Sequence, residues 1–111
     1  MANTFKNKGA AAIGTSEVSV YTCPSSTTST IIGLTAANLT TTSPIRCSMR
    51  LYDSSATAHY YIVKDAEIFE GGSLVVVGGD QKVVLEAGDI IKVASDTASS
   101  IDVVISYMET T

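Results

Sequence analysis

Few side chains in this sequence could do chemistry, and histidine is the scarcest of them. His59 is the one histidine, and the two cysteines, Cys23 and Cys47, are far apart along the chain. A zinc site needs three or four converging Cys, His or carboxylate ligands, so these residues supply too few. A Ser-His-Asp triad would have to use His59, yet the chain has no Gly-x-Ser-x-Gly elbow. We therefore predict no catalytic, cofactor-binding or metal-binding residues, with His59 in a structural position at a strand start.

Paired carboxylates are the remaining material for an enzyme. Asp65 and Glu67 are two residues apart and would share one face of a strand, and Glu86 lies close to Asp89. A glycosidase needs two carboxyl groups about 5 to 9.5 Å apart. Acidic residues on an exposed edge strand also prevent unwanted strand pairing, which is the simpler explanation. We predict that the chain is not an enzyme.

The composition is that of one compact domain with a real hydrophobic core. The chain has 111 residues, of which 45% are hydrophobic and 16% charged, and this balance argues against disorder. No run approaches the roughly 18 apolar residues of a membrane span, and the N-terminal residues lack the long apolar core that is typical of a signal peptide. We expect no membrane contact and synthesis in the cytoplasm. Cys23 and Cys47 are then predicted to be packed free thiols, with a disulfide as the alternative if the protein later lies outside a cell.

The charge distribution argues against nucleic-acid binding. The net charge is −4, with seven basic and eleven acidic residues. The basic residues are scattered, and Lys6 and Lys8 are the nearest approach to a cluster. Because phosphate contacts supply most of the affinity for nucleic acid, such proteins usually carry a basic stripe. We expect no nucleic-acid partner.

Short, alternating segments predict an all-β fold. Ile45–Tyr52 alternates cleanly, with Ile45, Cys47, Met49 and Leu51 on one face, which is a period of two and typical of a strand. About eight such segments are separated by turn residues, and none has a helical period. The sequence therefore predicts a single antiparallel β-sandwich, of which the jelly roll is one form. The predicted strands are Glu17–Thr22, Thr30–Ala36, Ile45–Tyr52, His59–Lys64 (continued by Ala66–Phe69), Ser73–Val77, Lys82–Leu85, Ile90–Val93 and Ile101–Met108.

The first fourteen residues differ from the rest, being small, polar and rich in Gly and Ala. We predict an N-terminal arm over residues 1–14 and a sandwich domain over residues 15–111. The arm is either a frayed terminus or a segment that orders against another chain. In the second case the candidate partner-contact residues are Thr4, Phe5, Lys6, Lys8 and Ile13.

The segment from Ser73 to Leu85 is apolar on both faces. Gly78, Gly79 and Asp80 predict a hairpin turn between its two strands, because Gly supplies the positive φ that such turns require. Strands that are apolar on both faces lie either at the centre of a sandwich or under a neighbouring subunit. Apolar positions that one subunit cannot bury would pack against sister subunits.

The sequence resembles a widespread group of small phage proteins that are usually described as virion structural proteins. The resemblance covers nearly the whole chain after residue 12. Two positions depart from the group: Cys23, where Ala or Val is more common, and Glu70, which replaces a proline. The segments that carry the resemblance are Ile13–Thr15, Val20–Thr28, Ile31–Leu34, Ala37-Asn38, Tyr61–Ala66, Gly71–Lys82, Val84–Asp89 and Ser99–Tyr107.

The resemblance implies a β-sandwich subunit that takes part in assembly of a virion. The leading hypothesis is a capsid decoration or cement protein, made in the bacterial cytoplasm and carried on the particle. Its partners would be the major capsid protein or other virion proteins, together with further copies of itself, for which a trimer is favoured. A neck, tail or baseplate component is the alternative, and host-surface adhesion is a third reading.

Overall fold

The structure is a computed structural model that describes residues 2–79 and 81–111. It contains nine strands, and the described residues include no helix that could cross a membrane. The strands are β1 (Asn3–Ile13), β2 (Val18–Thr22), β3 (Thr28–Asn38), β4 (Ile45–Asp53), β5 (Ala58–Ile68), β6 (Ser73–Val77), β7 (Val83–Leu85), β8 (Ile90–Ser95) and β9 (Ile101–Thr110).

The strands form two antiparallel sheets that pack face to face. Sheet A has the order β1-β9-β3-β6, with β7 also paired to β3, and sheet B has the order β2-β8-β4-β5. The first four strands thus pair with the later ones in reverse order, β1 with β9, β2 with β8, β3 with β6 and β7, and β4 with β5. This pairing is the jelly roll. The predicted all-β sandwich is confirmed, and all eight predicted strands are present.

Alternation along the strands builds the core between the two sheets. Three alternate residues of β4 are buried, Ile45, Cys47 and Met49. The same holds for three alternate residues of β9, Ile101, Val103 and Ile105. Both strands turn their other face to solvent, as a period of two requires. The core is therefore aliphatic, with no Trp to fill it.

Strand β1 is the element that the sequence analysis missed. Asn3–Ile13 was expected within an arm, and the structure has it paired along the whole of β9, from Asn3 opposite Thr110 to Ile13 opposite Ile101. Residues 3–9 are nevertheless exposed on both faces. Backbone hydrogen bonding to one neighbour, rather than burial, holds this segment, which explains why its sequence lacks an alternating apolar pattern.

The hairpin predicted between Ser73 and Leu85 is wrong. Both β6 and β7 run antiparallel to β3: Val75 lies opposite Thr35, and Val84 lies opposite Thr30. The two short strands therefore follow one another along the same edge of sheet A, and the glycines form a loop that interrupts this edge strand. Gly79 has the positive φ expected of it, +61°. Asp80, the third residue of the predicted turn, lies outside the described residues.

A buried carboxylate joins the loops at one end of the sandwich. Asp89, in the turn before β8, is 4% exposed. Its Oδ1 accepts hydrogen bonds from the backbone N–H and the hydroxyl of Ser54, at 3.0 and 3.2 Å, and its Oδ2 accepts from the N–H of Glu86 at 2.9 Å. The carbonyl of Asp89 also accepts from the N–H of Cys23. One side chain thus connects the β4–β5 turn with the β7–β8 turn.

Candidate assembly surfaces

The residues that could have formed an enzyme site are used structurally. Asp65 and Glu67 have different surroundings: Glu67 approaches Arg46 at 3.9 Å, whereas Asp65 lies in an irregular part of the edge strand with φ +52°. In the second pair Asp89 is buried in its loop contacts, while Glu86 is exposed. Among residues 2–79 and 81–111, no group of three or more His, Cys, Asp or Glu could hold a metal ion.

Cys23 and Cys47 are both free thiols, and both are buried. Burial raises the pKa of the Cys47 thiol to about 11, so that it stays protonated and unreactive at neutral pH. The Cys23 sulfur lies 3.3 Å from the carbonyl oxygen of Thr27 and 3.4 Å from the hydroxyl of Ser29. These positions agree with the predicted packed thiols.

The outer face of sheet A is broad and almost without charge. Its most exposed apolar residues are Phe5 (72% exposed), Val75 (64%), Val84 (57%) and Val104 (56%). Among the described strand residues on this face, Asp102 is the one charged residue, and its carboxylate accepts a hydrogen bond from the N–H of Ala12. An exposed apolar face of this kind is typical of an interaction surface.

The residues on this face form rows across the sheet. Each row runs from β1 through β9 and β3 and ends on β7 or β6. In one row Phe5 lies opposite Met108, Met108 opposite Thr30, and Thr30 opposite Val84. A second row passes from Gly9 through Val104 and Thr35 to Val75.

The Ser73–Leu85 segment was predicted to lie either at the centre of a sandwich or under a neighbouring subunit. Because β6 and β7 lie at the edge of sheet A, the central position does not apply. That a neighbouring chain covers Val75 and Val84 stays a prediction.

The five predicted partner-contact residues lie along β1 but face different ways. Phe5 is on the outer face of sheet A, opposite Met108. Thr4, Lys6 and Lys8 are on the opposite face of the strand, and Ile13 is buried in the core. The structure therefore brings four of the five to an exposed edge strand and uses the fifth to anchor it.

A polar cluster attaches β1 to both sheets, and we call it the clasp (Lys6, Tyr21, Ser29 and Glu109). The Nζ of Lys6 donates to Oε1 of Glu109 at 2.8 Å, and the hydroxyl of Tyr21 donates to Oε2 at 2.6 Å. Since the proton of Tyr21 is directed to Glu109, the hydroxyl of Ser29 donates to the Tyr21 oxygen, 2.5 Å away. The Tyr21 ring also packs on Tyr107, with ring centroids 4.2 Å apart.

The electrostatics of the clasp depend on a buried carboxylate. The Glu109 side chain is 10% exposed, against 49% for Lys6. Hydrogen bonds from Lys6 and then Tyr21 hold the pKa of Glu109 below its usual value, while the same hydrogen bond raises the pKa of Lys6. Burial, followed by the hydrogen bond to Glu109, raises the pKa of Tyr21. The clasp is therefore a charged pair at neutral pH, with Tyr21 protonated.

A bulge separates the exposed part of β1 from its anchor. Ala10 lies opposite Val103 and Ile13 opposite Ile101, so β1 has one residue more than β9 across this interval. Ala12 has a positive φ of +52°, which costs a non-glycine residue roughly 1 kcal/mol or more. Beyond it, the Ile13 carbonyl accepts from the N–H of Ser100 at 3.0 Å.

The outer face of sheet B gathers basic and aromatic side chains that are scattered in sequence. Arg50 lies 5.8 Å and Lys64 5.2 Å from the ring centroid of Tyr61, and Lys92 lies 5.4 Å from that of Tyr52. Glu17 accepts two hydrogen bonds from Arg50, at 2.6 and 2.8 Å, and partly neutralises this group. The two outer faces of the sandwich thus differ in chemistry.

His59 belongs to this face, where its ring lies 4.9 Å from that of Tyr52. Desolvation lowers the pKa of His59 below its ordinary value, and the charges of Arg50 and Lys92 add to the effect. The imidazole is therefore mainly neutral at pH 7, and His59 lies at the start of β5, where the sequence predicted a strand to begin.

Comparison with known proteins identifies the fold. No protein-family model matches the chain, and no curated protein matches it. A subunit of the Bacillus endospore appendages, which are disulfide-linked pili, is similar with a TM-score of 0.56 and 12% identity over 99% of this chain and 87% of that one.

Two structures of a pentameric capsid protein from metagenomic phage sequences are more distant. Their TM-scores are 0.44 and 0.42, each at 14% identity over 95% of this chain. This chain spans only 59% and 60% of their length. The similarity to the endospore appendage subunit, at 12% identity, shows a shared fold and nothing more.

Proposed function

We propose that this chain is a structural subunit of a phage virion, and specifically a capsid decoration or cement protein that stabilises the head shell. The observation that carries the proposal is the outer face of sheet A, which is almost without charge and where Phe5, Val75, Val84 and Val104 are exposed. In the virion this face would pack against a neighbouring protein. If the chain is a decoration protein, that neighbour is the major capsid protein. Binding to the assembled shell alone would stabilise it by mass action.

Three further properties support a structural role. The resemblance of the sequence to small virion proteins favours this role, and the fold is a sandwich with short loops. The carboxylates of Glu67 and Asp89 and the ring of His59 make contacts within the sandwich. The clasp and the edge strand β1 provide a second place for subunit contacts, so that both a shell partner and sister copies are accommodated. Localisation on the particle follows from this role.

Val104→Lys tests whether the outer face of sheet A binds the particle. The residue is exposed, so the substitution should change stability by less than about 0.5 kcal/mol. In the bound state it would place an unpaired charge in an apolar contact. We expect wild-type protein to rebind particles that lack the subunit, and Val104→Lys to bind at least about tenfold more weakly in a sedimentation assay.

Phe69→Lys is the matched control, since Phe69 is equally apolar and 69% exposed but lies in the loop after β5. Its binding should equal that of the wild type. Equal binding by Val104→Lys and the wild type would refute docking through this face.

The alternative is a neck, tail or baseplate component in which the same face contacts a ring or fibre protein. Both roles use the surface in the same way and differ in the number of copies per particle. A decoration protein is present in numbers close to those of the capsid subunit, whereas a neck or tail component is present as a small symmetric multiple.

A further inference from the structure

We infer that β1 is exchanged between copies of this chain, so that residues 2–12 of one subunit occupy the β9 edge and the clasp of its neighbour. The inference deepens the proposed virion role by naming a second copy as the partner of the N-terminal segment, and in that respect rests on it. The contacts themselves can be measured in purified protein.

Strand β1 is attached to its own subunit in a way that another copy can reproduce. Ala2 and Thr111 exchange both backbone hydrogen bonds, at 3.3 and 3.0 Å. In an antiparallel ladder such pairs alternate, so Thr4, Lys6 and Lys8 also bond to β9. Residues 3–9 are exposed on both faces and contribute little to the core. Strand β1 therefore contacts little besides the edge of β9 and the clasp.

The clasp makes the β9 edge specific for this strand. Glu109 is buried and needs a cation, which Lys6 supplies at 2.8 Å. An empty β9 edge would leave this carboxylate without its cation and a row of backbone groups unpaired, and such edges readily accept another strand. Strand β1 of a second copy has Lys6 at the same register. It would supply the cation that Glu109 needs and pair the backbone groups of β9 through the same contacts.

The bulge before Ile13 supplies the hinge. Ile13 and the carbonyl of Gly14 are fixed by the β8–β9 loop, through Ser100 and Ser95. Ala12 holds a left-handed backbone conformation, φ +52°, that a straightened chain would release. Residues 2–10 would lie along the neighbour's β9, so residues 10–13 link the two copies and span about 10 Å when extended at about 3.3 Å per residue. The two β9 edges must therefore lie close together. Domain swapping of this kind is a low-cost route to oligomers.

Exchange links copies in a closed or an open arrangement. If each subunit donates β1 to the next around an axis, the favoured trimer would have three identical contacts, one at each β9 edge. Phe5 of the donated strand would then complete the row of Met108, Thr30 and Val84 on the neighbour's sheet A.

A double cysteine variant tests the inference. Asn7 lies opposite Ser106 in a pair that alternation makes non-hydrogen-bonded, where Cα atoms are about 4.5 Å apart and a disulfide is allowed. We expect oxidised Asn7→Cys/Ser106→Cys protein, taken from the oligomeric fraction, to give bands of two or more covalently linked chains that dithiothreitol collapses to one. An intramolecular disulfide alone, or the absence of any oligomeric fraction, would overturn the inference.

Each single variant is the control, since one new cysteine can link no more than two chains. The native Cys23 and Cys47 are buried and should not compete. A closed ring gives a single limiting band, whereas an open assembly gives a continuous ladder, and either supports exchange between copies.

Charge reversal gives an independent test. K6E and E109K each place like charges together, and each should lower the oligomeric fraction severalfold. Mixing the two restores a Lys–Glu pair at two of the three contacts of a trimer, and at every contact of an alternating even-numbered ring or open assembly, but only when the strand comes from another copy. Recovery of oligomers in the mixture is the expected result, and no recovery contradicts the inference. The cysteine and charge-reversal tests use purified protein, whereas Val104→Lys tests binding to particles. Failure of strand exchange would therefore not affect the proposal that sheet A binds the particle.

Discussion

Asp89→Ala is expected to lower the free energy of unfolding by about 2–4 kcal/mol, because the substitution removes the buried carboxylate that accepts the hydrogen bonds of Ser54 and Glu86 and so connects their two turns. Asp89 is 4% exposed and accepts three side-chain or backbone hydrogen bonds from two turns. Chemical denaturation monitored by tyrosine fluorescence or circular dichroism measures the change. For a domain of this size the loss corresponds to a fall in Tm of about 10 °C or more.

Glu86→Ala provides the control for this prediction. Glu86 lies in the same turn, but its side chain is exposed, so its removal should change stability by less than about 0.5 kcal/mol. If Asp89→Ala were as stable as Glu86→Ala, the carboxylate would not be what connects the two turns.

Glu109→Gln is the second large effect, and it should depend on pH. At pH 7 the loss of charge weakens the hydrogen bonds from Lys6 and Tyr21, with an expected cost of about 1.5–3 kcal/mol in the free energy of unfolding. The pKa of Glu109 is lower in the folded protein than in the unfolded chain, where it is about 4.3. Its contribution is therefore complete above the unfolded value and is lost as the pH falls through the folded value.

The stability difference between wild type and Glu109→Gln should accordingly shrink when the pH is lowered from 7 to 3. The pKa values of Glu17, Asp53 and Asp96 are also lowered, but these groups are present in both proteins and cancel in the difference. Glu70→Gln, in an exposed loop, should show no such dependence. A difference that stays constant with pH would rule out the charged clasp.

Strands that bury one face were predictable from the sequence because burial leaves a period of two. The alternation of Ile45, Cys47 and Met49 located β4, and that of Ile101, Val103 and Ile105 located β9. Strand β1 was missed for the same physical reason, since residues 3–9 bury neither face. Its structure depends on the β9 edge, a partner about a hundred residues away that local pattern cannot reveal.

The clasp had a signal that could have been used. The inward positions of β9 continue through Tyr107 to Glu109, and an acidic residue on a buried face requires a partner. Lys6 and Tyr21 could not be identified as those partners without the sheet order. The basic residues on sheet B were likewise judged as scattered, because Arg50, Lys64 and Lys92 meet only when three strands are aligned.

The hairpin error at Gly78 and Gly79 has a similar origin. Glycines between two β-branched runs predict a reversal of the chain, and a loop that interrupts one edge strand has the same local composition. Only the pairing of both β6 and β7 with β3 separates the two cases.

The copy number of this chain in purified phage particles tests the central claim most directly. Quantitative mass spectrometry against the major capsid protein would measure it. The decoration role predicts a number comparable to that of the capsid subunit, and a small symmetric multiple would move the chain to the neck, tail or baseplate. Complete absence from the particle would contradict the virion role.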